Sequence, residues 1–452
     1  MHKDARGNTV TLSNPRALEA YERGLYAFQT YRGDPTAPFD EAIAADDGFA
    51  AAYATKALVL CAYFERRFID AAAATLAAGR AALERATPRE RALAEAARLI
   101  IAGEWHASVR ALERILVDHP RDIVALQVAH LMDFYRGDAL NLRNRSARVL
   151  PAWSSSVPGY AYVLGFHAFG LEECNQYSEA ERAGRRAVEI SGDDAWAVHA
   201  VAHVMEMQGR IAEGLAWYGS TRAAWDSADN GFAFHNAWHT ALYAMDRGDH
   251  RKALSVFDQR FVNNAADIAL VRIDATALLW RLMLEGVDVA SRFAPVAGLW
   301  ESALEGEAGF YAFNDFHAAL AFAGAGRTEA LVRVRSALAR AAAGSDDNAR
   351  MAREVALPAC EGAIAYREGR YAEAAKKLLA VRDGASAFGG SHAQRDLLTL
   401  TLIDAARRAG DVSLARHYVN ERLVHKPASA WGHRLAAAAM PAPKTPLQPS
   451  VQ

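Results

Sequence analysis

Apolar residues recur along this chain at helical spacing, in blocks broken by one recurring phrase. The phrase is an apolar helix, a short turn with Gly flanked by Arg or Asp, and a second helix opening on Glu-Ala or a similar pair. It reads AGEWHASVRAL around Gly103, YRGDALNL around Gly137 and MQGRIAEGLAWY around Gly209. It returns as DRGDHRKALSVFD around Gly248, LEGVDVASRF around Gly286 and GAGRTEALVRV around Gly326. REGRYAEAAKKLL around Gly369 and RAGDVSLARHYV around Gly410 complete the series. From Gly209 onward the turn glycines stand 39, 38, 40, 43 and 41 residues apart, by subtraction of their numbers. Two helices per period of that length predict an all-α, TPR-like helical-repeat superhelix, an α-solenoid with a unit longer than the tetratricopeptide one. The first helix of each pair (A) is expected on the concave inner face and the second (B) outside. No segment alternates strictly enough to predict a strand.

Residues 1–439 read as a single continuous array. Its opening hundred residues carry degenerate turns such as FERRFIDAAAA. Pro151 and Pro158 predict a loop near 151–159, and GASAFGGSH predicts a flexible stretch over 384–392. The Pro-rich, polar tail 440–452 is expected to be disordered.

Charge removes some function classes. Lys and Arg total 51 against 53 Asp and Glu, with a pI of about 6.7, so neither a nucleic-acid nor a membrane partner is expected. Three well-separated cysteines (Cys61, Cys174, Cys360) make neither a disulfide framework nor a CxxC site. With no apolar leader segment at the N-terminus, they point to the cytoplasm. Phosphate loops, dinucleotide fingerprints, nucleophile elbows and HExxH are absent from the sequence. Catalysis, if present, must then come from His, Asp, Glu and Arg gathered on helices.

Histidines supply the candidates. DAWAVHAVAHVMEM places His199 and His203 at i,i+4 with Glu206 beyond them, and FHNAWHTALYAM places His235 and His239 likewise, beside Trp238. That spacing puts both rings on one helical face and suits metal ligation, so these four are the candidate ligands of a divalent metal ion. FYAFNDFHAALAF adds Asp315 and His317, and GGSHAQRD adds His392, Arg395 and Asp396. His199 lies ten residues before its turn glycine, and His239 and His317 lie nine before theirs, which predicts one row of imidazoles facing the concavity. Asp274 and Thr276 occupy comparable offsets in the intervening unit. The structural alternative for the four histidines is a buried hydrogen-bond network, for Asn314-Asp315 a helix cap, and for Arg395 and Asp396 a pairing across a repeat interface. Glu172 and Glu173, closing an A helix, read as solvent-facing.

The segments HAVAHVMEMQGR, HNAWHTALYAMDRGD, NDFHAALAF and GGSHAQRD resemble the tetratricopeptide repeat protein 38 family. The resemblance implies a closed-up helical-repeat fold over nearly the whole chain. It brings no established reaction, so no catalytic role is carried over.

Two functions follow. The first is a small-molecule enzyme or binder with a His-rich pocket on the concave face, a hydrolase of a small amide or ester. In it His199, His239, Asp315, His317 and His392 carry acid–base chemistry, with or without the metal. Glu206 or Asp315 serves as base or holds a ligand imidazole. Trp238, Arg395 and Asp396 contact substrate, Arg395 through a carboxylate. The alternative is a TPR-type scaffold binding a protein or peptide, with no catalytic activity. Homo-oligomerisation through an exposed end of the array is compatible with either.

Overall fold

The computed structural model describes residues 2–262 and 268–439; the tail 440–452 lies outside the described residues. The chain forms the expected all-α, TPR-like helical-repeat superhelix, helix after helix joined by short turns. One departure is an antiparallel ribbon pairing His2–Lys3 with Thr9–Val10, two residues per strand and too short to leave an alternating pattern. The loop around 151–159 separates the helix Ala139–Val149 from the next inner helix, as its two prolines require.

All eight turn glycines lie in the left-handed region, with φ between 66° and 81°. The same conformation recurs where glycine is missing: at Tyr31 (φ 58°), Phe64 (φ 56°) and Asn175 (φ 60°). Adding these three extends the series to steps of 33, 39, 34, 38 and 34 residues between Tyr31 and Gly209, by subtraction. The early turns are therefore regular in geometry and irregular only in sequence.

Eight of the inner helices frame the site: α1 (Ala50–Cys61), α2 (Ile123–Tyr135), α3 (Tyr160–Glu173), α4 (Ala195–Met207), α5 (Ala233–Asp246), α6 (Ala269–Leu284), α7 (Ala312–Ala325) and α8 (His392–Arg408). They are apolar around most of their circumference, the pattern of a helix enclosed on all sides. Every residue of α4 is buried, and every residue of α5 except Thr240.

Enclosure arises because the superhelix closes on itself. Glu65, after α1, accepts from the Ala269 amide (2.8 Å) and from Arg272 (2.9 Å) on α6. The Tyr311 hydroxyl donates to the Tyr135 carbonyl (3.0 Å), and the His392 amide to Glu173 Oε1 (2.9 Å). Lys426, beyond the helix Val412–His425, donates to Glu206 on α4 (3.1 Å).

The stretch 384–392, expected as a flexible connector, leads into α8. It holds a 3₁₀ turn (Ala385–Phe388) and two left-handed glycines, wedged between α2 and α7. A Cβ on Gly389 would press on the Tyr311 hydroxyl and the Tyr135 carbonyl, and one on Gly137 would collide with the Ser386 carbonyl. Glycine serves close approach of backbones here. Gly137→Ala is therefore expected to cost roughly 3 kcal/mol or more, from clash added to a left-handed alanine. Gly369→Ala, equally left-handed but facing open space, is expected to cost about 1 kcal/mol. Chemical denaturation of the two variants measures the difference.

Candidate functional site

The paired histidines of α4 and α5 face one another across adjacent inner helices. His199 Nε2 lies 3.1 Å from His235 Nε2 and 3.2 Å from His239 Nε2. The His203 ring centroid stands 4.3 Å from that of His199 and 4.4 Å from that of His239. One nitrogen from each of the four rings lies within 4.8 Å of the others. All four side chains are buried.

Carboxylates set the ring orientations. His235 Nδ1 is 2.7 Å from Asp274 Oδ2 on α6, and His239 Nδ1 is 2.8 Å from Glu206 Oε2, whose other oxygen accepts from Lys426 Nζ. An ionised carboxylate only accepts, so Nδ1 carries the proton in both rings and Nε2 presents a lone pair. His199 Nε2 can hold one proton, enough to satisfy one of its two Nε2 contacts. The other partner then turns its lone pair toward a nitrogen whose single proton points elsewhere. Burial, followed by the neighbouring imidazoles, drives His199 and His239 well below the ordinary histidine value. Burial holds His203 at about 4. These rings are neutral at cellular pH, the state in which imidazole binds metals.

Behind His203 lies a second group. Glu172 Oε2 sits 3.4 Å from His203 Nδ1, and neither Glu172 oxygen has a hydrogen-bond partner. Burial and then Glu173 push its carboxyl far above the usual range. Burial works the same way on Glu173, but His392 and Arg395 outweigh it and leave that carboxyl low. Glu172 and Glu173 are thus buried, contrary to the solvent-facing expectation. Two acids at a helix C-terminus oppose the helix dipole, a cost that was itself a readable signal.

A cavity of about 320 Å³ opens beside the cluster, and His199 and His235 form part of its wall. Tyr31, Phe64, Trp196, Phe232, Ile273 and Tyr311 contribute apolar surface. Two of the three non-glycine left-handed residues, Tyr31 and Phe64, stand on this wall; such strain gathers at functional sites.

The other sequence candidates are elsewhere. Asp315 accepts from the Gly309 amide (3.0 Å) as a turn fastener, its carboxyl pushed up to about 7 by burial. His317 donates Nδ1–H to the Phe313 carbonyl (2.9 Å) and stays outside the four-ring cluster despite its matching offset. Its helix, α7, is separated from α5 by α6, which sends Asp274 toward His235 instead. His392, Arg395 and Asp396 line a different cavity. There His392 Nε2 is 3.0 Å from the Glu173 carbonyl, Arg395 pairs with Glu173 (3.1 Å) and Asp396 with Arg422 (3.0 Å). Trp238 is wholly buried, stacked on His235 with Arg281 over its other surroundings, and does not reach the cavity. Glu206 and Asp274 fill orienting positions, while Lys426 was not anticipated.

No family model matches the chain. Among solved structures it is similar to a monomeric mutant of IFIT1 with m7Gppp-AAAA, at 12% identity and a TM-score of 0.39, covering 95% of each chain. At that identity and score the likeness carries no argument about the site. None of the described helices is long and apolar enough to cross a membrane.

His317 sets a pH window. Its ordinary value of 6.5 falls to about 4 in the fold, through burial. Between those values the unfolded chain binds a proton that the folded one does not, so stability is complete above 6.5 and declines as pH falls toward 4. His317→Asn keeps a donor for the Phe313 carbonyl and removes the titration. It is expected to flatten the acid side of the stability curve by about 1.4 kcal/mol per pH unit in that window, measured by denaturation across pH.

Proposed function

We propose that the four-histidine cluster holds one divalent first-row transition ion and that the protein is a metal-dependent enzyme acting on a small molecule, a hydrolase of an amide or ester. The observation carrying this reading is the meeting of three Nε2 atoms at 3.1 and 3.2 Å, with two of the opposite nitrogens anchored on carboxylates. A tetrahedral ion with nitrogen ligands at about 2.0–2.1 Å sets its ligand atoms about 3.3 Å apart. Neutral imidazole suits zinc and its neighbours.

Charge supports the same reading. Among the described residues, Glu172 and Asp274 meet no Lys or Arg within ion-pair distance. Burial raises both carboxyls, and a dication beside them would favour their ionised forms.

In this reading His199, His235 and His239 would be the ligands, with His203 beside the fourth position on the Glu172 side, a position a catalytic ion keeps open. Glu206 and Asp274 hold the imidazoles, with Lys426 fixing Glu206. The ion would supply Lewis acidity toward a carbonyl oxygen. The enclosed cavity favours a small molecule over an extended peptide, since closure of the superhelix replaces the open groove of a scaffold. We also propose that the chain shares its site segments with the tetratricopeptide repeat protein 38 family.

Protein prepared without a His tag is expected to carry about one equivalent of metal, stabilising the fold in proportion to its affinity. His239→Ala and His199→Ala should each lose most of that metal. Chelator should lower the melting temperature of the wild type and leave the variants unmoved, and hydrolysis of small aryl esters and amides should track metal content. Background metal in wild type after exposure to zinc, cobalt and nickel salts would sink the reading.

A further inference from the structure

Charged residues make up 23% of the chain, yet among the described residues the cavity wall includes no Asp, Glu, Lys or Arg. Several of its polar groups are committed. The Tyr135 hydroxyl donates to the Ala62 carbonyl (2.7 Å) and the Tyr311 hydroxyl to the Tyr135 carbonyl (3.0 Å). Ser391 and Gln394 form a capping box at the start of α8: the Ser391 amide donates to Gln394 Oε1 (3.0 Å) and the Gln394 amide to Ser391 Oγ (3.3 Å). That box uses only the Oε1 end of Gln394. Its Nε2 makes no hydrogen bond among the described residues, nor does the side chain of half-buried Asn314. Both residues line the cavity. The wall therefore offers aromatic surface, two ring edges from the cluster, the unpartnered Tyr31 hydroxyl and Trp196 indole N–H, and two neutral amides with bonding capacity left.

We infer that the cavity takes an uncharged, predominantly apolar molecule bearing one amide- or ester-type group, and that Gln394 and Asn314 are specificity-determining residues. A charged ligand would meet no counter-charge among the described wall residues and lose its hydration without replacement. A neutral one loses only apolar hydration, which favours binding, and its single polar group is met by an unsatisfied amide. This rests on the cavity being the ligand site, as proposed above. It does not rest on the metal.

Three probes of nearly one shape separate the possibilities: naphthamide (neutral), naphthoate (anion) and naphthamidinium (cation). Each is titrated calorimetrically into wild-type protein, as purified and after chelator treatment. The neutral amide is expected to bind about tenfold tighter than either ion in both preparations. Gln394→Glu keeps the capping box, which accepts Glu at this position, while placing a carboxylate on the wall. It should weaken naphthamide about tenfold and raise naphthamidinium above it. Asn314→Asp, at a half-buried position, should shift the order the same way and guards against a folding defect in the first variant. Either ion matching the amide in wild type overturns the inference. So does the absence of saturable heat with all three probes, or an unchanged order in both variants. An amide preference in protein that never holds metal would end the metal proposal and leave this one standing.

Discussion

Closure of the superhelix is the constraint from which the rest of the structure follows. An open array exposes the inner face of its A helices. Here contacts such as Glu65 with Arg272 and Glu206 with Lys426 join distant coils, and the inner helices become enclosed. A helix buried on all sides leaves no polar side chain free to turn to solvent. Each one must meet a partner across the core or remain unsatisfied. That requirement accounts for the alanine-rich inner helices and for the glycine-mediated close approach at 384–392. It also makes the few polar groups left on those helices informative.

The histidine cluster is a product of that enclosure. Its rings come from two neighbouring helices, but the groups that orient them come from three places: Glu206 on α4, Asp274 on α6, and Lys426 near the end of the described chain. No single repeat contains the site. Fixing both the tautomer and the direction of a ring requires a partner on the far nitrogen; neighbouring inner helices supply the two carboxylates, and closure brings Lys426 to Glu206.

Much of the architecture was legible from glycine spacing, because a left-handed turn residue is most often glycine and its recurrence marks the repeat. The early turns were not, since Phe64 and Asn175 adopt that conformation without announcing it in composition. The i,i+4 pairs predicted the meeting of His199 with His239, and Asp274 was read at a comparable height. The extension of that row to His317 failed because equal offset does not survive the curvature of a closed superhelix. Arg395 meets Glu173, 222 positions earlier, while Asp396 meets Arg422 on the following helix. Pairings like that of Arg395 are long-range, and local pattern does not record them.

Tyr31 and Phe64 hold left-handed backbones while their rings face the cavity. A drift toward the repeat consensus at either position would relax the chain and erase part of the binding wall in the same step. Consensus redesign of this array, a usual route to sturdier repeat proteins, would thus trade recognition for robustness at two identifiable codons.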